Sequence, residues 1–186
     1  MRVIAGKFRS RGLRTLRGMA LRPTGDRLRE TLFNVLGAAV EGSTFVDLFA
    51  GTGAIGIEAL SRGAQRVIFV ENHAAAVKLI RENLKSLGIA DAAEVLAMDA
   101  IRGLKQFAAR EGRADFMFLD PPYARGEEYE RVLEFIDSAK LLAPNGIVIA
   151  EHAKKINLPE RMESLERSRV LVQGDSALTF YRVAGD

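Results

Sequence analysis

The sequence predicts a doubly wound α/β fold: a mostly parallel sheet with helices on both faces and a C-terminal antiparallel hairpin. Three observations carry this. After Glu41-Gly42, short apolar runs alternate with amphipathic stretches of helical period. Runs such as Phe116-Met117-Phe118-Leu119 and Ile147-Val148-Ile149 lack period-2 alternation, as strands covered on both faces do. At the end of the chain, Arg169–Val172 and Ala177–Val183 flank Gly174-Asp175, a tight-turn signal.

The elements follow in chain order. Arg2–Ala5 and Gly12–Leu16 are expected to pair as a short hairpin with Lys7–Arg11 as its turn, and Gly18–Pro23 as a loop. Thr24 is a candidate N-cap for a helix from Gly25 to about Ala39, with Leu28, Leu32, Val35, Leu36 and Ala39 on one face. Candidate strands are Thr44–Phe49, Arg66–Glu71, Ala93–Met98, Ala114–Leu119 and Gly146–Glu151. Candidate helices between them are Ala54–Arg62, Ala74–Leu87, Ala100–Arg110 and Glu127–Ala139.

The length of 186 residues suits one domain with its own core. Within it we expect a basic arm over 1–23, a leading helix over 24–40 and a core over 44–183. No cysteine is present, which excludes disulfides, thiolate metal sites and a cysteine nucleophile. Two scattered histidines make no metal site. No run approaches a membrane span, and the N-terminus has no signal-peptide core, so the expected compartment is the cytoplasm.

The net charge of +3 hides an asymmetry. Residues 1–34 hold nine bases (Arg2, Lys7, Arg9, Arg11, Arg14, Arg17, Arg22, Arg27 and Arg29) against Asp26 and Glu30, a charge of +7. The rest holds 18 bases and 22 acids, a charge of −4. Arginine forks onto phosphate, so this pattern suits a grip on nucleic acid. A solvated arm or a mitochondrial presequence has the same composition, though a presequence would not run unbroken into patterned structure.

Chemistry concentrates at predicted strand ends. Asp47-Leu48-Phe49-Ala50-Gly51-Thr52-Gly53-Ala54-Ile55-Gly56 joins the first strand to a helix. Its glycines permit a tight turn and close approach of a ligand to the backbone. Gly51, Gly53 and Gly56 match a dinucleotide fingerprint, but Asp47 suits an ammonium group and would repel a pyrophosphate. Glu71 ends the second strand, where a carboxylate can accept ribose hydroxyls. Asp99 follows the third strand, as acceptor from an adenine amino group or as a helix N-cap. Asp120-Pro121-Pro122-Tyr123 follows the fourth. Two prolines remove N–H donors, so this loop offers acceptors and an aromatic face to a flat base bearing an amine.

Together these features resemble the class I S-adenosylmethionine-dependent methyltransferases that act on exocyclic amines. The N-terminal stretch narrows the resemblance. Arg2-Val3-Ile4-Ala5-Gly6-Lys7-Phe8-Arg9, followed by Arg22-Pro23-Thr24-Gly25-Asp26-Arg27-Leu28-Arg29-Glu30-Thr31-Leu32-Phe33-Asn34, is similar to the RsmD family of bacterial 16S rRNA guanine-N2 methyltransferases. The loop Arg17–Leu21 matches nothing in that pattern, and Phe8 stands where Trp is also familiar.

The resemblance implies a Rossmann-like, seven-stranded sheet, S-adenosylmethionine as cofactor and 16S rRNA in the small subunit as partner, with guanine 966 as the family target. Nothing in the sequence marks an oligomer, so a monomer is the default expectation, and no metal is expected. Asp47 would hold the methionine ammonium, Gly51 and Gly53 the backbone approach, and Glu71 the ribose. Asp99 and Ala100 would meet the adenine edge, with Phe49 and Asn72 completing the cofactor set. Asp120, Pro121 and Pro122 would orient the N2 amine, and Tyr123 would stack on the base. Arg2, Lys7, Arg9, Arg11, Arg22 and Arg27 would bind RNA. DNA amine methylation, protein glutamine methylation, a dinucleotide oxidoreductase and a non-enzymatic RNA-binding protein each share part of the pattern. None shares Asp47, the Asp120–Tyr123 loop and the basic arm together.

Overall fold

A computed structural model describes residues 1–15, 25–121 and 126–185. Five of the apolar runs become parallel strands: β1 (Thr44–Leu48), β2 (Arg66–Glu71), β3 (Ala93–Ala97), β4 (Ala114–Leu119) and β5 (Leu142–Ala153). The terminal pair β6 (Leu165–Gln173) and β7 (Ser176–Val183) is antiparallel. The helices are α1 (Gly25–Leu36), α2 (Ala54–Ser61), α3 (Ala74–Leu87), α4 (Ala100–Ala108) and α5 (Gly126–Ser138). The sheet has seven strands in the order β3-β2-β1-β4-β5-β7-β6.

That order puts helices on both faces, because each crossover between parallel strands must cover the sheet. One face packs α1, α2 and α3 against Phe45, Phe69, Phe116, Phe118, Ile147 and Ile149. The other packs α4 and α5 against Val46, Leu48, Ile68, Met117, Leu119 and Val148. Along β1, β2, β5 and β4 from Phe116 onward, successive residues alternate between the two cores, which is why the runs show no alternation of polarity. Phe33 of α1 stacks on Phe45 at 6.1 Å, and Phe45 meets Phe116 at 6.0 Å. Gly56 of α2 faces Phe69: a Cβ there would lie 2.3 Å from the ring, so only glycine lets the helix sit this close.

Several boundaries differ from expectation for identifiable reasons. Helix α1 stops at Leu36 and a 3₁₀ turn covers Gly37–Val40, since Gly37 takes φ +57°. Helix α4 stops at Ala108, short of Arg110, before Glu111 turns at φ +54°. Strand β5 begins at Leu142, not Gly146. Leu142 pairs with Ala114 across a register shift, and the intervening Pro144 and Asn145 read as a turn. Strand β6 begins at Leu165 instead of Arg169. Its charged residues Glu166, Arg167 and Arg169 are those of an edge strand, not of an apolar run.

The N-terminal pairing is shorter than expected. Within residues 1–15 one antiparallel bridge joins Arg2 to Gly12, with the Val3 amide donating to Arg11 O and the Leu13 amide to Met1 O, both at 3.0 Å. The same residues fold onto the body, burying Val3 and Leu13 in the α1–α3 core. The expected Thr24 cap and the Gly18–Pro23 and Arg17–Leu21 loops lie outside the described residues. No helix among the described residues is long and apolar enough to cross a membrane.

The chain runs β1, β2, β3 outward in one direction, then returns to lay β4 and β5 on the opposite side of β1. This reversal opens a crevice at the carboxyl ends of β1 and β4, where open α/β sheets bind ligands.

Candidate active site

Four acidic residues lie at or near the carboxyl ends of the strands that border that crevice. Asp47 lies in β1, Glu71 ends β2, Asp99 follows β3 and Asp120 follows β4. Asp47 and Glu71 share strand parity with Phe45 and Phe69, which places both on the α1–α3 face. Position 120 continues the alternation of Phe116 and Phe118 on that face.

Two carboxylates build the turn between β1 and α2. Asp47 Oδ2 accepts the Gly56 amide at 2.9 Å from a fully buried position. Glu71 Oε2 accepts the Gly51 amide at 2.8 Å, and its Oε1 accepts the His73 amide at 2.7 Å. The Ala50 amide donates to Val70 O and the Gly53 amide to Ala50 O. The turn needs left-handed backbone at Phe49 (φ +59°), Gly51 (+53°) and Gly53 (+75°). Phe49 is the informative one, because a bulky residue in that region is strained, and such strain collects at functional sites.

Burial pushes the Asp47 carboxyl well above the ordinary carboxylate range; the Gly56 amide opposes this, while Glu71 and Asp120 reinforce it. A cation placed beside Asp47 would oppose that rise, because a nearby positive charge favours the ionised carboxylate. Asp99 caps α4, its Oδ1 accepting the Arg102 amide at 3.0 Å, so the capping alternative holds for that oxygen. Ala100 is buried behind it and Asn72 is exposed beside β2. Asp120 is half-buried and Pro121 buried. Pro122 and Tyr123 lie outside the described residues, as does Arg22 of the expected RNA-binding set.

The donor set fits S-adenosylmethionine. Buried acid Asp47 matches an ammonium. Both Glu71 oxygens keep a second lone pair for ribose hydroxyls after accepting their amides. A Cβ on Gly53 would come within 3.1 Å of Ile80, so the turn is already closely filled.

The basic arm is docked against the body. Glu58 of α2, 1% exposed, accepts the Ile4 amide at 2.8 Å and the Ala5 amide at 3.0 Å. Its carboxylate also pairs with Arg62 at 2.8 Å and lies 4.0 Å from Arg29. Ser61 O accepts the Lys7 amide, and Ser61 Oγ donates to Ala5 O. On the other side, Asn83 of α3 accepts the Arg14 amide at 2.9 Å and donates to Arg14 O. Asn83 also donates to Thr52 O, inside the glycine turn, at 3.4 Å. The arm therefore leans on the same turn as the strand-end acids.

Docking changes the charge count. Arg29 is 3% exposed, and its guanidinium is spent on Arg2 O and Asp26. Arg14 pairs with Glu82. Arg2, Lys7, Arg9, Arg11 and Arg27 remain exposed. Sequence reasoning missed Glu58 and Asn83. Glu58 is the single charge in the otherwise apolar helix Ala54–Ser61, a signal that would have found it. It also passed over Glu151, which lies near the carboxyl end of β5 just as Glu71 ends β2.

Comparison with known proteins agrees with this geometry. A family model described as Conserved hypothetical protein 95 matches residues 1–182. YlbH of Bacillus subtilis is 38% identical over 185 residues, the whole of both chains. The ribosomal RNA small subunit methyltransferase D of Escherichia coli is 33% identical over 183 residues, covering 98% of this chain and 89% of that one. Among solved structures, yhhF from Escherichia coli superposes with a TM-score of 0.86 at 33% identity, over 100% of this chain and 99% of the other.

Proposed function

The chain belongs to the family described as Conserved hypothetical protein 95, the RsmD family of class I methyltransferases, and on that premise we propose that it methylates the exocyclic N2 amine of a guanine in 16S rRNA. The family target, guanine 966 of the small subunit, is the proposed nucleotide. The observation that carries this reading is the set of carboxylates on one face of the carboxyl edge, around a glycine turn at the reversal of strand order. When bound, S-adenosylmethionine supplies an electrophilic methyl group. Asp47 would hold its ammonium, Glu71 its ribose, and Asp99 with Ala100 its adenine edge, with Phe49, Gly51, Gly53 and Asn72 lining the site.

The chain's own task is to make a poor nucleophile competent. The lone pair of an exocyclic amine is delocalised into its ring. Asp120 and the carbonyls beside Pro121 and Pro122 would accept its N–H bonds and turn the lone pair out of conjugation. Tyr123 would hold the base by stacking. Asp120 also stands where it would stabilise the positive nitrogen and receive its proton. Positioning the reactants at roughly 3–3.5 Å supplies much of the acceleration. Arg2, Lys7, Arg9, Arg11, Arg22 and Arg27 would bring the RNA to this acidic site. The setting is cytoplasmic, with a monomer acting on the small subunit or a late assembly intermediate.

Replacing Asp120 by alanine tests the assignment of roles. Methyl transfer should be abolished while S-adenosylhomocysteine affinity stays within about twofold, since the lost group acts on the amine. Parallel loss of both would move Asp120 into the cofactor site.

A further inference from the structure

We infer that Glu151 is a specificity-determining residue that accepts the ring N1–H of the target guanine beside the amine held at Asp120. This rests on the reading of the site as one that methylates a base amine. Leu119 of β4 is in register with Ala150 of β5, so the next positions, Asp120 and Glu151, stand side by side at the sheet edge. Adjacent strands are about 4.8 Å apart, a spacing that lets two carboxylates address neighbouring atoms of one base. Glu151 continues the alternation of Ile147 and Ile149, on the face shared by Asp47, Glu71 and position 120.

The strand end is held firmly. Tyr129 OH donates to Glu151 O at 2.7 Å, and Glu151 pairs with Leu178 in β7. The ring of the next residue, His152, is fixed on the opposite face by Thr179 Oγ1 at 2.8 Å and Ala153 O at 3.0 Å. A half-buried carboxylate on so fixed a backbone is suited to selection.

The chemistry then favours one base. Guanine carries two adjacent donors, N1–H and the N2 amine, on its pairing edge. Adenine and cytosine place a ring acceptor beside their amine. Two neighbouring carboxylates complement the first pattern and repel the second. A site built to accept a hydrogen bond discriminates strongly against an analogue that presents an acceptor there.

The experiment uses small subunits reconstituted with 2-aminopurine at the modified position. That base keeps the 2-amine but has an acceptor at N1. The wild-type chain should transfer methyl to it with kcat/KM lower than for guanine by about tenfold to a hundredfold. Glu151→Gln offers an amide donor to that acceptor, so its ratio of guanine to 2-aminopurine should narrow to within about threefold. Its thermal midpoint and S-adenosylhomocysteine affinity should stay at wild-type values. Glu151→Asp, which keeps the charge, should lose rate but retain the preference for guanine. Unchanged discrimination in Glu151→Gln, or equal transfer to both bases by the wild type, would overturn the inference while sparing the proposed function. Absence of transfer to guanine by the wild type would overturn both.

Discussion

The Gly51 amide donates to Glu71 Oε2 at 2.8 Å, so the last residue of β2 closes the turn that follows β1. Glu71 thus builds the glycine turn itself, in addition to the ribose contact proposed for it. Its replacement should cost more than ribose contacts. Glu71→Ala leaves the Gly51 and His73 amides without their acceptor, a loss of about 1–3 kcal/mol in folding stability. It should also weaken S-adenosylhomocysteine binding by about tenfold or more. Calorimetric titration and urea unfolding on the same variant check the two effects together; weakened binding at wild-type stability would show that Glu71 does not shape the turn.

Asp47 should leave a mark on the pH dependence of stability. Burial raises its carboxyl in the folded chain, so the folded state binds that proton more tightly than the unfolded one. Its contribution is therefore best below the ordinary value near 3.8 and is lost as pH rises from there toward the raised value. The slope is at most about 1.4 kcal/mol per pH unit. Asp47→Asn keeps an acceptor for the Gly56 amide and removes the titration. Relative to wild type, it should gain stability as pH rises across that window. Parallel stability curves for the two proteins would show that burial does not raise the Asp47 carboxyl.

Gly6 tests the docking of the arm. It has φ +79°, and a Cβ there would lie 1.9 Å from Ser61 O. Gly6→Ala should lift residues 1–15 from α2. Trypsin would then cut after Lys7, Arg9 or Arg11 at rates the wild type resists. RNA affinity should drop about tenfold as the cations lose their fixed spacing. Protection equal to wild type would mean that the Ile4 and Ala5 bonds to Glu58 do not set the arm's position.

Charge removal on the docked arm separates grip from fold. Val3 and Leu13 belong to the core, so deleting the arm would unfold part of the body. Exposed Arg9→Ala and Lys7→Ala avoid that. Each should reduce the slope of log affinity against log salt by about 1 if its side chain meets a phosphate. Arg29→Ala should instead destabilise the chain, because it leaves Glu58 short of a buried partner. An unaltered slope in Arg9→Ala and Lys7→Ala would remove both side chains from the RNA interface.

The strands and helices of the α/β body were legible because burial on both faces writes continuous apolar runs such as Phe116–Leu119. The acids at their ends were legible because a charge that stops an apolar run is conspicuous. What escaped was set by contacts between distant segments. Glu58 stands out as the one charge of α2, but the partners that it and Asn83 hold are backbone amides of Ile4, Ala5 and Arg14, which leave no trace in residue type. The double use of Glu71, as turn acceptor and proposed ribose acceptor, depends on a bond spanning 20 residues. Strand β6 was only half visible, since an edge strand needs charge more than apolarity.

The most direct measurement is transfer of labelled methyl from S-adenosylmethionine to unmethylated small ribosomal subunits, followed by mapping of the modified base. Label is expected on the N2 amine of a single guanine of 16S rRNA, and Asp120→Ala should abolish it. Label on DNA, on protein or on any RNA base other than guanine would contradict it.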